Sequence, residues 1–338
     1  MSIAEVVREL GFATTILSGR HYNLLLQVTN RCNMKCSFCD FWPNGVSPRD
    51  ELSVGEFRDL SRQLTGLGRF LVSLEGGEPF VRPDLVEIVR AFSEHHVPVL
   101  FTNGWYVTEE NARALFDAGL AQIGVSLDYA DARRHDAKRV LPGAFERVWN
   151  AVELLKAAAP HGGKQVHIMT VLMRDNVDDL GPLLEMSGGR GIGHVVTLVS
   201  TRGYRRGKGV DHVPEPGISA RLLELWRRHP HWRFWRQYLE KMDAFLSHGA
   251  MPACRAGLQS FNIDHVGNVS PCVEKIDRIY GNIRTESLKR ISERLATQRD
   301  GISTCQDCWT VCRAFSQFMG RGGSLRSWAD MVGRMRSQ

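Results

Sequence analysis

The 338-residue sequence lacks the features of membrane, exported and nucleic-acid-binding proteins. No apolar run approaches the roughly 18 to 20 residues that a membrane-spanning helix needs. The N-terminal stretch MSIAEVVRELGF contains Glu5 and Glu9 and has no basic start before an apolar core, which argues against a signal peptide. No concentrated basic and aromatic surface of the kind that binds nucleic acid is evident. We therefore expect a cytoplasmic protein without membrane or nucleic-acid partners.

Cysteine is absent between Cys39 and Cys254, so the eight cysteines form two groups. The first group is Cys32, Cys36 and Cys39. The second group is Cys254, Cys272, Cys305, Cys308 and Cys312. Cysteines of cytoplasmic chains rarely form disulfides, so the two groups predict two metal-binding regions.

Short apolar runs alternate with helix-like stretches, which predicts an α/β fold with a parallel sheet. We expect a partial (β/α)6 TIM-like barrel with a small cysteine-rich α+β extension at the C-terminus, and an open doubly wound sheet is the competing topology. The predicted strands span residues 23–29, 69–75, 97–103, 122–128, 165–173 and 194–200.

Unusual residues follow the first four predicted strands, where both topologies place chemistry. A three-cysteine loop follows the first strand and GGEP (76–79) follows the second. Asn103 ends the third strand, and Ser126 and Asp128 end the fourth. A [4Fe–4S] cubane normally takes four thiolates, so three thiolates leave one iron open to another ligand. A zinc site completed elsewhere is the alternative.

The segment CNMKCSFC (32–39) resembles the cysteine motif of the radical S-adenosylmethionine (radical SAM) superfamily. The resemblance implies that Cys32, Cys36 and Cys39 hold a [4Fe–4S] cluster and that SAM is the ligand of its open iron. It further implies reductive cleavage of SAM to a 5′-deoxyadenosyl radical, with an electron donor of the flavodoxin or ferredoxin type.

The same resemblance implies a set of SAM-binding residues. GGEP would contact the methionine amino group, and Ser126 and Asp128 would lie near the ribose and carboxylate unless they merely end a strand. Phe38 would lie near the adenine or in the core, and Asn176 would be either a cofactor ligand or a helix N-cap. The predicted set is Phe38, Gly76, Gly77, Glu78, Pro79, Asn103, Ser126, Asp128 and Asn176.

The C-terminal cysteines are similar to those of twitch and SPASM domains, which bind auxiliary clusters. FNIDHVGNVSPC (261–272) predicts a β-hairpin that turns at Gly267. A full SPASM pattern has more cysteines, so the resemblance favours one auxiliary [4Fe–4S] cluster. Its predicted ligands are Cys254, Cys272, Cys305 and Cys308. Cys312 either replaces one ligand or stays a free thiol, and a zinc ribbon is the alternative.

These features predict a radical SAM oxidoreductase that abstracts a substrate hydrogen and oxidises the substrate radical through the auxiliary cluster. Such oxidation releases a proton, and Glu274 is the candidate base, with Asp264 weaker. A small-molecule dehydrogenase is favoured, because only about 20 residues precede the first strand and leave no room for a peptide-binding domain. The alternatives are a peptide maturase that makes crosslinks, or a redox-neutral epimerase or lyase with Cys312 as hydrogen donor.

The predicted domain organisation has five parts. They are a lead-in (1–22), the radical SAM core (23–217), connecting helices (218–250), a twitch/SPASM-like domain (251–318) and a basic tail (319–338). The core ends in a basic loop that could bind an anionic group of the substrate through Arg202, Arg205, Arg206 and Lys208. The spacing of Trp232, Trp235, Leu239, Met242 and Leu246 predicts one amphipathic helix across the barrel.

Overall fold

The computed structural model describes residues 3–319 and 323–336. The strands are β1 (Asn23–Thr29), β2 (Leu71–Gly76), β3 (Val97–Thr102), β4 (Gln122–Ser126), β5 (Val166–Leu172), β6 (Gly193–Leu198), β7 (Ser260–Ile263), β8 (Asn268–Ser270) and β9 (Gly281–Asn282). The helices are α1 (Ile3–Ser18), α2 (Val54–Thr65), α3 (Leu85–Ser93), α4 (Glu109–Asp117), α5 (Ala132–Arg139), α6 (Ala144–Ala158), α7 (Leu180–Gly189), α8 (Ser219–Arg228), α9 (Arg236–Glu240), α10 (Met242–Leu246), α11 (Leu288–Thr297), α12 (Val311–Phe318) and α13 (Leu325–Arg336).

The strands of the described chain form one sheet in the order β6-β5-β4-β3-β2-β1-β7-β8-β9. Neighbours from β1 to β6 pair in parallel. A doubly wound sheet reverses its strand order at a switch point, whereas the first six strands here follow one another without reversal. The predicted partial barrel, open rather than closed, is therefore confirmed.

Local sequence signals explain where several elements begin. Ser53 and Glu56 form a reciprocal capping box at the start of α2, and Thr108 and Asn111 do the same for α4. All seven residues of β1 are buried, as expected for a central strand of a parallel sheet that is covered on both faces.

The C-terminal extension continues the sheet of the barrel. Strand β7 pairs in parallel with β1, and it forms the predicted hairpin with β8, in which Gly267 has a φ of 92°. Helix α12 lies at the opposite edge, where the Val311 N–H donates to Thr197 Oγ1 of β6 at 3.1 Å. The extension thus contacts both edges of the open barrel.

The prediction of one continuous helix through Trp232 and Trp235 was wrong. Helix α8 ends at Arg228, Trp232 makes an isolated bridge with His194, and Phe234 has a φ of 77° that no helix accommodates. Trp232 and Trp235 are nevertheless buried. The spacing therefore predicted burial correctly. The backbone at Trp232 pairs with β6 and then turns, whereas Leu239, Met242 and Leu246 lie on the two short helices α9 and α10.

The predicted lead-in and tail contain helices α1 and α13, while residues 1, 2, 320–322, 337 and 338 lie outside the described ranges. In α13, Trp328 packs against the cluster of buried residues around Trp235, and Arg334 lies 3.5 Å from the ring centroid of Trp226. Across the described residues, no helix is both long and apolar enough to cross a membrane.

Candidate active site

The cysteine loop, residues 29–42, joins β1 to the segment before α2 at the carboxyl end of the sheet. The Met34 N–H donates to Cys32 Sγ at 3.4 Å, and the Cys39 N–H donates to the Cys36 carbonyl at 3.1 Å. Burial raises the pKa of the Cys32 thiol to about 12. Thiolates therefore need a compensating cation here, which suits an iron–sulfur cluster.

The GGEP glycines allow β2 to end against the cysteine loop. A Cβ atom on Gly76 would lie 2.0 Å from the Thr29 carbonyl oxygen, and one on Gly77 would lie 2.1 Å from the Arg31 carbonyl oxygen. Both glycines line the cavity described below. Their lack of a side chain is therefore required by the chain's own backbone, in addition to any ligand.

Glu78 is held in place by three hydrogen bonds at the end of β2. Its carboxylate accepts from Thr102 Oγ1 and the Asn103 N–H, both at 2.7 Å, and from the Phe80 N–H at 3.1 Å. Burial raises its pKa to about 7. Asn103 also donates to Asn33 Oδ1 at 2.8 Å, which ties the end of β3 to the cysteine loop.

Asp128 and Asn176 are buried and hydrogen-bonded to each other. Asp128 is fully buried and pairs with Arg139 Nη2 at 2.6 Å. Asn176 donates to the Asp128 carbonyl at 2.8 Å and accepts from the Met173 N–H at 2.7 Å. Among the described residues, Ser126 lines the cavity whereas Asp128 and Asn176 do not. Helix α7 begins after Asp179, so Asn176 is not its N-cap.

Phe38 lies between two guanidinium groups at the edge of the cavity. Its ring centroid is 5.5 Å from Arg139 Cζ and 4.9 Å from Arg205 Cζ, and Arg205 Nη1 also donates to the Phe38 carbonyl at 3.2 Å. Arg139 in addition reaches Cys36 Sγ at 3.9 Å. Sequence reasoning missed Arg139, because nothing in the sequence of α5 indicates that it faces a cysteine and an aspartate.

The C-terminal cysteines lie close to one another. Cys254 is near enough for its charge to raise the pKa of Cys272, Cys305 and Cys308, although burial is the largest cause for each. Cys312 is close to Cys272, and it lines the cavity, unlike the other four cysteines of this group in the described chain. Thiolates are the ligands that a [4Fe–4S] cluster takes, so the donor chemistry of this group fits such a cluster.

A cavity of about 960 Å³ extends through the barrel, and Cys32, Cys36, Cys39 and Cys312 line it. Arg202, Arg205, Glu274 and Glu75 also line this cavity. The Arg202 N–H donates to Glu274 Oε2 at 3.3 Å, and burial raises the pKa of Glu274. Asp264 instead lies in the β7–β8 turn, where it accepts from the Asn268 N–H at 2.8 Å.

Glu75 is a functional candidate that sequence reasoning missed. It faces the cavity from β2, its side chain has no hydrogen-bond partner among the described residues, and burial raises its pKa to about 7. The sequence could have indicated this position, because side chains alternate along a strand. Glu75 therefore lies on the same face of β2 as Ser73, toward the barrel interior.

Comparison with known proteins agrees with this geometry. The sequence profile of the radical SAM superfamily matches residues 26–186, and that of an iron–sulfur cluster-binding domain, SPASM, matches residues 254–309. An AdoMet-dependent heme synthase of Methanosarcina barkeri is 31% identical over 290 residues, which are 79% of this chain and 80% of that protein. The chain belongs to the radical SAM superfamily.

Solved radical SAM structures share its fold. The peptide-bound SuiB structure from Streptococcus suis has a TM-score of 0.63 at 15% identity, covering 90% of this chain and 73% of that one. The anSMEcpe structure with bound AdoMet has a TM-score of 0.63 at 16% identity, covering 94% and 96%. Together, the two matched domains show that this radical SAM enzyme uses SAM, a SAM-binding [4Fe–4S] cluster and auxiliary iron–sulfur chemistry.

Proposed function

We propose that this radical SAM enzyme oxidises a carboxylate-bearing small molecule in the cavity between its two cysteine groups. When bound, the cofactors supply a 5′-deoxyadenosyl radical that abstracts hydrogen and an auxiliary [4Fe–4S] cluster that accepts an electron. The observation that carries the proposal is the shared cavity, because Cys32, Cys36 and Cys39 line it together with Cys312 of the C-terminal group. Its volume of about 960 Å³ lies within the range of small-molecule sites.

The residues in and around the cavity have distinct proposed roles. The GGEP segment and Ser126 would bind SAM, and the Glu78 carboxylate would accept hydrogen bonds from the methionine ammonium. Arg202 and Arg205 would hold the substrate carboxylate, because guanidinium groups match carboxylates geometrically. Glu274 would take the proton that leaves the substrate, and Glu75 offers a second acceptor in the same cavity.

Several further observations support a small molecule and a reducing compartment. The relatives named as heme synthases produce a small molecule rather than a modified peptide. The likeness to the peptide-bound SuiB structure, at 15% identity, supports the fold alone. The cysteines are unpaired thiols, which is typical of the cytoplasm, where we propose that the enzyme works.

A redox-neutral reaction is the second candidate. Cys312 lines the cavity, and this observation favours a thiol that returns a hydrogen atom to the substrate radical. In that case the four other C-terminal cysteines hold the auxiliary cluster, and the product is an isomer of the substrate.

The test is anaerobic turnover of reconstituted enzyme with SAM and dithionite on two substrate panels, carboxylate-bearing small molecules that include porphyrins, and short peptides. We expect 5′-deoxyadenosine together with a small-molecule product that is two hydrogens lighter. Arg205→Met should raise KM at least tenfold, whereas the exposed Arg290→Met should not change it. A product of unchanged mass that disappears in Cys312→Ala would establish the redox-neutral reaction instead, and turnover of the peptides alone would refute the small-molecule proposal.

A further inference from the structure

Two arginine side chains are hydrogen-bonded to the segments that carry the C-terminal cysteines. Arg313 of α12 donates from Nη1 to the Cys308 carbonyl and from Nη2 to the Pro252 carbonyl, both at 2.8 Å. Arg299 donates from Nη2 to the Cys254 carbonyl at 2.6 Å. Each guanidinium group therefore lies beside one of the predicted ligands of the auxiliary cluster.

Arg313 is the more deeply buried of the two arginines. It is 7% exposed, whereas Arg299 is partly exposed. The Cζ atom of Arg313 lies 5.7 Å from the ring centroid of Trp309, which is fully buried. Within the described chain, its Nη atoms donate to carbonyl oxygens, its Nε atom has no hydrogen-bond partner, and no carboxylate forms an ion pair with it. A buried positive charge of this kind is destabilising unless another anion compensates it.

The charged side chains at the other cysteines are already paired. Arg139 Nη1 reaches Cys36 Sγ at 3.9 Å, but Arg139 Nη2 forms an ion pair with Asp128 at 2.6 Å. In the C-terminal extension, Asp307 likewise forms an ion pair with Lys275. The charge beside the SAM-binding cysteines is therefore neutralised by the chain itself, whereas the charge of Arg313 is available to an anion at the C-terminal cysteines.

We propose that Arg313 compensates the negative charge of the auxiliary [4Fe–4S] cluster and thereby raises its reduction potential. A cubane held by four thiolates is an anion, and it becomes more negative when it gains an electron. The net charge around a cluster is one of the factors that set its potential. Because opposite charges attract more strongly in a buried, low-dielectric environment, the guanidinium stabilises the reduced cluster more than the oxidised one.

This tuning would favour the proposed oxidation. In that step the substrate radical loses one electron, the auxiliary cluster gains it, and the proton leaves to Glu274. The pairing of Arg139 with Asp128 adds no such stabilisation to the reduced SAM-binding cluster, which must itself give an electron to SAM. The effect on the potential depends only on the auxiliary cluster, whereas its use in oxidation rests on the proposed function.

The test is a redox titration of the reconstituted holoprotein, followed by EPR spectroscopy with and without SAM. SAM alters the signal of the cluster that it binds, so the signal that SAM leaves unchanged reports the auxiliary cluster. Arg313→Gln removes the charge but keeps an amide that can donate to a carbonyl, and Arg313→Lys keeps the charge. The control is Arg290→Gln on α11, which removes an exposed charge that solvent and salt screen.

At a fixed potential, we expect Arg313→Gln to lower the ratio of reduced to oxidised auxiliary cluster at least tenfold, a fall of about 59 mV for one electron. Arg313→Lys should stay close to wild type, and Arg290→Gln should match it. An unchanged potential in Arg313→Gln would overturn the proposal. An equal fall in Arg313→Lys would also overturn it, because the hydrogen bonds rather than the charge would then set the potential.

The iron content decides the outcome if a variant does not keep the auxiliary cluster. Loss of that iron from Arg313→Gln but not from Arg313→Lys would support charge compensation, and loss from both would overturn it. The titration needs no substrate, so a failure of the proposed oxidation would leave its result intact.

Discussion

Replacing Glu75 by glutamine should make the protein more stable at alkaline pH. Burial raises the pKa of Glu75 from its ordinary 4.5 to about 7, and the side chain faces the cavity without a hydrogen-bond partner among the described residues. Below pH 4.5 the carboxyl is neutral in the folded and unfolded states, so it does not lower the free energy of unfolding. As the pH rises through 7 the folded protein must carry a buried charge, and stability is lost.

The size of the effect follows from that shift. A rise in pKa from 4.5 to about 7 corresponds to about 3 kcal/mol of stability lost above pH 7. Because the half-buried side chain borders a cavity that water can enter, we expect about 2 kcal/mol. For a chain of 338 residues this is a shift in Tm of about 3 °C.

The assay is thermal unfolding of the anaerobic holoprotein from pH 5 to pH 8.5. Glu75→Gln should unfold about 3 °C above wild type at pH 8 and within about 1 °C of it at pH 5. The exposed Glu293→Gln on α11 is the control and should show no pH-dependent difference. A Glu75→Gln variant that is equally or less stable at pH 8 would refute the reasoning, because the carboxylate would then have a compensating partner. Retention of a destabilising carboxyl in a cavity is otherwise typical of a functional site.

Further predictions concern the iron–sulfur clusters and the buried polar residues Asp128, Arg139 and Asn176. Reconstituted wild type should contain about eight irons, falling to about four when the three cysteines of the cysteine loop become alanine; unchanged iron would disprove that loop's role. Cys312→Ser should keep about eight irons whereas Cys308→Ser should lose about four, and the reverse would make Cys312 the ligand. Arg139→Met should lower the free energy of unfolding by about 3–5 kcal/mol, because it leaves Asp128 buried and unpaired. Adding Asp128→Asn should restore part of that stability in urea unfolding, and no recovery would contradict the pairing. Asn176→Ala should cost about 1–3 kcal/mol in the same measurement, because the Met173 N–H loses its acceptor, and an unchanged midpoint would exclude this role.

Local patterns in the sequence were sufficient for the elements of the barrel. The predicted strand at residues 23–29 has the bounds of β1, and the other five predicted strands overlap β2 to β6 with ends that differ by one or two residues. The local sequence also predicted the hairpin that turns at Gly267. Burial periodicity, caps and turn glycines are short-range signals, so they need no knowledge of distant residues.

The same reasoning failed where distant backbone overrides a local pattern. The tryptophan spacing around Trp232 and Trp235 fits a helix, but pairing of Trp232 with His194 of β6 breaks it. Nothing near residue 260 indicates that β7 pairs with β1, more than two hundred residues earlier.

The cysteine motif, through its resemblance to that of the radical SAM superfamily, was enough to indicate the superfamily and its cofactors, because a cluster-binding loop is contiguous in the chain. Only the tertiary structure decided the role of each charged residue. Arg205 lines the cavity while its neighbour Arg206 is 47% exposed, and Asp128 pairs with Arg139. The Glu75 side chain has no hydrogen-bond partner among the described residues, although the charge of Arg205 offsets part of the rise in its pKa that burial causes. A charge acquires its role from the burial and the partners that folding gives it, and those partners come from elsewhere in the chain.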